Sequence, residues 1–178
     1  MILRFILFFL SLLGIFISGS LFFRTPSLRN RSLSIFILLF SFQILEFLYG
    51  TSEIVYLYPQ FVGLYFFASG FLYGPLFYFH IRSFKEEKET IEWKHLLHLL
   101  PFLTMLWLTR DIYLTSDGEV RLQMIDDQFF SRILYYNYAI VTHIIAYGIV
   151  IVFKVRKLRL KLSATENAYL FGICSIYL

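Results

Sequence analysis

The chain has 178 residues, 58% hydrophobic and 21% aromatic, with 16 Lys and Arg against 12 Asp and Glu and a formal net charge of +4. Soluble domains are roughly 45–50% apolar. Here the excess falls in blocks bordered by the cations, which excludes an ordinary water-soluble core and ties the positive charge to a membrane rather than to nucleic acid. A single cysteine, Cys174, excludes an internal disulfide and a cysteine-based metal site, and reads as a small hydrophobe within an apolar run.

A helix that crosses a bilayer needs about 20 mostly apolar residues. The first such run, Phe5–Phe23, is longer than the roughly 7–15 residues of a signal-peptide core. Ser18-Gly19-Ser20 could serve as a cleavage site, but Arg24, Arg29 and Arg31 follow as a stop-transfer pattern, so an uncleaved first helix is the favoured reading. Further runs occupy Leu33–Gly50, Phe61–Ile81, a shorter His95–Thr109, and Ile133–Phe153. A sixth starts near Ala168 and is unfinished at Leu178. The runs are continuously apolar, whereas strands of a membrane barrel would alternate over about 10 residues. Backbone in lipid must satisfy its own hydrogen bonds, so helices are expected. The predicted fold class is all-α: a polytopic transmembrane bundle with helices near 5–23, 33–50, 61–81, 95–109, 133–153 and 168–178, forming part of a seven-helix domain cut at its C-terminal end.

The gaps between the runs differ in charge. Gap one holds Arg24, Arg29 and Arg31, gap three Arg82, Lys85, Lys88 and Lys94, and gap five Lys154, Arg156, Lys157, Arg159 and Lys161, together 12 of the 16 cations. Gap two has none, and in gap four Arg110, Arg121 and Arg132 are outweighed by Asp111, Asp117, Glu119, Asp126 and Asp127. The positive-inside bias therefore predicts that the basic loops 24–32, 82–94 and 154–165 are cytoplasmic and that the N-terminus is outside. An odd total of helices would then bring the C-terminus into the cytoplasm. Lys85-Glu86-Glu87-Lys88-Glu89 reads as a solvated mixed-charge turn. Gap four, Arg110–Ser131, is the largest outside loop. Asp117-Gly118 marks a turn there, and Val120, Leu122, Met124 and Ile125 fit either a short strand or a surface-lying helix.

Polar groups inside apolar spans are candidates for function because their burial is costly. Gln43 and Glu46 share a face of the second helix, three residues apart. His143 lies near the middle of the fifth run, and a bond from it to Glu46 or Gln43 would be sensitive to pH. The plainer reading of each is an interhelical or interfacial contact. Asn137, six residues before His143, faces another side of the same helix. His95 and His98 have no third ligand nearby, which makes a metal site an unfavoured reading. Gly70 and Gly74 form a small-xxx-small pair, and Pro75 removes a backbone donor, so this stretch fits close packing or a hinge. Tyr56, Tyr58, Trp93, Trp107 and Tyr113 sit at segment ends, as an aromatic belt would. No phosphate loop, dinucleotide fingerprint or nucleophile elbow occurs, so neither catalysis nor a cofactor is expected.

Phe71-Leu72-Tyr73-Gly74-Pro75-Leu76-Phe77-Tyr78-Phe79-His80-Ile81-Arg82-Ser83, followed by Trp93-Lys94-His95-Leu96-Leu97-His98-Leu99-Leu100-Pro101-Phe102, carries a family likeness. The chain resembles the N-terminal multi-helix membrane region of bacterial membrane-bound AraC-type transcriptional regulators. The resemblance implies the bacterial inner membrane, a sensory and anchoring role, and DNA binding only through a cytoplasmic helix-turn-helix domain beyond these residues. The expected partners are the lipid bilayer, an unidentified signal or small ligand, and a second copy in a homodimer. The alternatives are the same module feeding a histidine kinase or another signalling enzyme, a small transporter, and a membrane enzyme.

Overall fold

In a computed structural model, residues 2–24, 27–63, 66–84, 93–158 and 163–177 are described. Helices make up this structure, with no strand among the described residues. The mixed-charge turn at 85–89, the cations Arg159 and Lys161, the Leu178 end and the Cys174 side chain lie outside what is described.

α1 (Ile2–Arg24) and α2 (Leu28–Gly50) form an antiparallel hairpin. Ser27 caps α2, its hydroxyl accepting from the Asn30 N–H at 3.2 Å. The two helices meet along small residues. Ser11, Ser18, Ser34 and Ser41 are buried, Ser18 donates to the Ser34 carbonyl at 2.8 Å, and Ser34 donates back to the Ser18 carbonyl at 2.7 Å. A Cβ on Gly14 would run into Ser41. Serines spaced by seven keep one seam facing the partner; Ser18 and Ser34 bond across it, while Ser11 and Ser41 donate to the Phe8 and Ile37 carbonyls of their own helices at 2.7 and 2.8 Å. At the open end of the hairpin, Arg4 Nη2 donates to the Thr51 carbonyl at 2.9 Å.

The short helix α3 (Ile54–Leu57) and a 3₁₀ turn over Pro59–Phe61 lead to Gly63, whose φ of +72° is the left-handed conformation that favours glycine. α4 (Phe66–Arg82) then runs through the centre, packed against α2, α5 (Leu100–Leu108) and α8 (Leu134–Leu158), with α6 (Arg110–Leu114) and α7 (Gly118–Asp127) between the last two. α9 (Ala164–Tyr177) follows α8. Two apolar clusters flank α4. Ala68 and Phe71 pack with Met105, Ile112 and Ile133 near one end, and Phe77 and Ile81 with Ile151, Leu158 and Leu170 near the other.

Three segments are long and apolar enough to cross a membrane: Ile2–Arg24, Leu28–Gly50 and Phe129–Leu158. Their outward side chains are large and apolar, as with Phe5, Phe16 and Phe23 at 71%, 75% and 82% exposure, a face that does not suit water. The expected continuous helix at 95–109 is corrected. Residues Trp93–Leu99 wind as 3₁₀ helix, and only Leu100–Leu108 is α-helical. Pro101 explains the break, because a residue without an N–H fits the first turn of an α-helix and not its interior. The expected start of the third helix at 61 moves to Phe66 because Gly63 interrupts the run. The two readings left open for Val120–Ile125 resolve to helix, in α7.

Gly70 and Gly74 face α8. A Cβ on Gly70 would lie 2.6 Å from Ile140 Cγ2, and one on Gly74 would lie 2.8 Å from Tyr147 Cβ. Ile140 offers only the end of a side chain, whereas Tyr147 presents its root and ring, so Gly74 is the less forgiving position. Pro75 follows within the same helix, wholly buried. Gly74→Ala is expected to lower stability by about 1–3 kcal/mol. Gly19→Ala, where a Cβ meets nothing within 4 Å, should be neutral or slightly stabilising. Thermal unfolding of both variants in detergent checks the contrast.

Candidate functional site

The irregular segment after α3 creates backbone groups without helical partners, and one side chain gathers them. Arg121 on α7 is 4% exposed. Its Nη1 donates to the Gln60 and Val62 carbonyls, each at 3.1 Å, and its Nη2 to the Thr115 carbonyl at 2.5 Å. Buried carbonyls and a buried cation are each costly alone, and together they offset one another. α7 can come this close because Gly118 has no side chain. A Cβ there would lie 2.6 Å from Gln60 Cα. Asp117 caps the helix, its Oδ1 accepting from the Glu119 N–H at 2.9 Å and the Val120 N–H at 3.3 Å.

Glu46 meets the same peptide unit from the other side. The Gly63 N–H donates to Glu46 Oε1 at 3.2 Å, while the Val62 carbonyl accepts from Arg121. One peptide bond therefore stands between a guanidinium and a carboxylate, its oxygen toward the cation and its hydrogen toward the anion. Each charge polarises the peptide in the sense that strengthens the other bond. Glu46 also lines a cavity of about 350 Å³ with Gly63, Ile125, Phe129, Ile133 and Asn137.

A second arginine closes the far side of this cap. Arg132, in a π-helical turn over Phe129–Ile133 that leads into α8, forms a two-point pair with Asp111 at 2.5 and 2.9 Å. It also donates to Gln128 Oε1 at 2.9 Å and to the Leu108 carbonyl. The Arg132 guanidinium holds the Asp111 carboxyl below the usual carboxylate range.

The other polar residues singled out from sequence do not converge on Glu46. Gln43 accepts from the Tyr73 hydroxyl at 3.1 Å and so ties α2 to α4. His143 is turned to the aromatic side of α4 and α8, with ring centroids 5.1 Å from Phe71 and 4.8 Å from Tyr147. Neither of its ring nitrogens has a hydrogen-bond partner among the described residues. The alternative in which His143 bonds Glu46 or Gln43 is not formed. Glu46 takes the Gly63 N–H, Gln43 a tyrosine hydroxyl, and His143 lies in edge-on and tilted ring contacts. His98 Nδ1 pairs with the Tyr147 hydroxyl, and the His95 ring packs on Phe79. No group of three or more His, Cys, Asp or Glu that could hold a metal occurs among the described residues.

At the opposite end of α4 sits a residue that sequence reasoning passed over. His80 is fully buried. Its Nδ1 lies 2.9 Å from the Arg29 carbonyl in the first turn of α2, and its Nε2 lies 3.3 Å from the Tyr169 hydroxyl on α9. A carbonyl only accepts, so Nδ1 carries the hydrogen, and neutral His80 accepts from Tyr169 at Nε2. Arg29 lies 4.8 Å over the Phe84 ring, which contacts Tyr169 at 5.8 Å. Ser163 and Glu166 form a capping box at the start of α9, with the Ser163 N–H donating to Glu166 Oε2 at 2.9 Å and the Glu166 N–H to Ser163 Oγ at 3.3 Å. That Ser-x-x-Glu spacing is legible in sequence. The role of His80 is not, because its partners are distant in the chain.

Arg121→Met should cost about 3 kcal/mol or more, since three carbonyls lose a charged donor. Arg110→Met, which removes an exposed stack on Trp107 at 4.6 Å and an exposed bond to the Trp107 carbonyl at 3.2 Å, should stay within about 0.5 kcal/mol. Protease cleavage within 110–131 should rise in the first variant alone. The Asp111 carboxyl has a lowered pKa in the fold, so its stabilising contribution is present above its unfolded value, near 3.9, and is lost as pH falls below that. Asp111→Asn should therefore lower the unfolding temperature at pH 7, by a margin that shrinks as pH falls from about 4 through the lowered folded pKa. Comparison with family models, with curated proteins and with solved structures finds no match for the chain.

Proposed function

We propose that the chain is a polytopic membrane domain with a sensory and anchoring role, passing a change at its outer cap through α4 to a cytoplasmic output. An AraC-type DNA-binding domain is the output that the resemblance at Gly74-Pro75 and His98–Phe102 favours. The observation that carries the reading is the position of α4. Tyr73 joins α4 to Gln43 on α2, and His80 joins its other end to both α2 and α9. The same helix holds Pro75 and the close-packed Gly74 between those links. A shift of α4 against α8 at the glycine face would change both ends together, which is the kind of two-state element a ligand can bias. The basic residues support the orientation: Arg29, Lys154 and Arg156 lie at the His80 end, and the acidic α6–α7 segment at the Gly63 end. In this reading the aromatic-rich α4 is flanked by α2, α5 and α8, so it need not meet the lipid requirement alone.

Orientation is tested with single cysteines in a Cys174→Ala background. Ser116→Cys, in the exposed acidic loop, should react with a membrane-impermeant maleimide in intact cells, and Ser163→Cys should react only after permeabilisation. The opposite labelling sinks the orientation. The regulatory role is tested by transcript profiling of the native host with the gene intact, deleted, or carrying His80→Leu. A regulator is expected to give one small set of transcripts altered by both changes at equal membrane abundance. Solute flux into proteoliposomes with no such set would assign the chain to transport instead.

A further inference from the structure

The cavity of about 350 Å³ beside Glu46 is bounded by α2, the Val62–Gly63 turn, α7 and the start of α8. That volume falls within the roughly 300–1,000 Å³ of small-ligand sites. Its walls are apolar along Ile125, Phe129 and Ile133, with the Glu46 carboxylate, the Asn137 amide and Thr51, whose hydroxyl donates to the Phe47 carbonyl and whose carbonyl accepts from Arg4, as polar groups. Glu46 Oε1 takes the Gly63 N–H, while Oε2 accepts from no described residue. Arg121 does not reach it: its Nη donors go to the Gln60, Val62 and Thr115 carbonyls, and it meets Glu46 only through the intervening peptide. A carboxylate with one open oxygen among apolar walls calls for a cationic donor. The surroundings attract one. On the other face of α7, Glu119, Asp126 and Asp127 line a neighbouring cavity of about 440 Å³, and Arg132 is committed to Asp111.

We propose that this cavity binds an amphiphilic primary ammonium compound. The ammonium head donates to Glu46 Oε2 and to the Asn137 amide oxygen, and the alkyl chain lies along Ile125, Phe129 and Ile133. An ammonium has three donors and no acceptor, which matches two acceptors and one water-facing side. The same head group exists on a free alkylamine and on an ethanolamine phospholipid. As a binding site the proposal stands on geometry alone; as the stimulus of a sensor it rests on the function proposed above.

The test is calorimetric titration of n-octylammonium into the protein in phosphatidylcholine nanodiscs, with empty nanodiscs subtracted. Wild type is expected to bind one equivalent saturably. Glu46→Gln keeps an oxygen for the Gly63 N–H and removes the charge, and should weaken binding at least about tenfold. Gly50→Phe fills the mouth of the cavity from a position where a Cβ meets nothing within 4 Å, and should abolish binding with the unfolding midpoint unchanged. Equal affinity in either variant, or 1-octanol binding as tightly as octylammonium, overturns the proposal. In nanodiscs containing phosphatidylethanolamine, competition assigns the head group to lipid, and unchanged affinity assigns it to the free amine. Binding without any transcript response would sink the regulatory reading while leaving this site intact; failure to bind leaves the labelling and transcript results standing.

Discussion

The Gly63 end of this protein depends on a single peptide bond placed between two charges. The Val62 carbonyl accepts from buried Arg121, and the Gly63 N–H donates to Glu46. Without Arg121 the carbonyls of Gln60, Val62 and Thr115 would face an interior with no helical donor to meet them. Without those carbonyls a guanidinium at 4% exposure would be a costly charge. Gly63 makes the arrangement possible, because its φ of +72° lets the chain turn there without a Cβ penalty. α3, α7 and the start of α8 are therefore positioned by the same few hydrogen bonds that place Glu46 at the edge of its cavity.

From that point the order of the bundle follows α4. One face of the helix is stripped to Gly70 and Gly74, so α8 approaches closely. Another carries Tyr73 and Phe77 against Phe36 of α2, with ring centroids at 5.8 and 5.6 Å. Its last turns hold His80, which bonds α2 on one nitrogen and α9 on the other. The α1–α2 hairpin needs no such device. Its reciprocal Ser18 and Ser34 bonds satisfy each hydroxyl within the seam, and large apolar side chains cover the rest of α1. Polar groups at these helix contacts are thus spent where they find partners. Among the described residues, the buried side-chain nitrogens without one are both ring nitrogens of His143 and Nε of Arg121.

Reading the chain as a sensor joins these two ends. The cap contains the groups a ligand could engage, and the His80 end contains the contacts from which a change could leave. Both are connected through a helix that has a packed glycine face and a proline, features that permit two discrete packings rather than a gradual bend.

Periodicity and charge were legible directly. Long apolar blocks determine helices because backbone away from water must bond to itself, and α1, α2 and the segment Phe129–Leu158 follow from that alone. The close approach at Gly74 was also visible, since a permissive residue type marks its position, whereas the turn read at Asp117-Gly118 is the capped start of α7. Several features were invisible. Arg121 and Arg132 counted in the sequence as two loop cations, whereas the structure commits both to the cap. His80 read as part of an aromatic run, and His143 as a midspan polar group with an interhelical contact whose partner the sequence left open. The cause is the same in each case. The sequence determines which groups must find hydrogen bonds and which surfaces must leave water, because those are properties of residues and their local spacing. Only the tertiary structure decides which partner each group takes, because the choice between a carbonyl at Val62 and a carboxylate elsewhere depends on which distant backbone arrives within bonding distance.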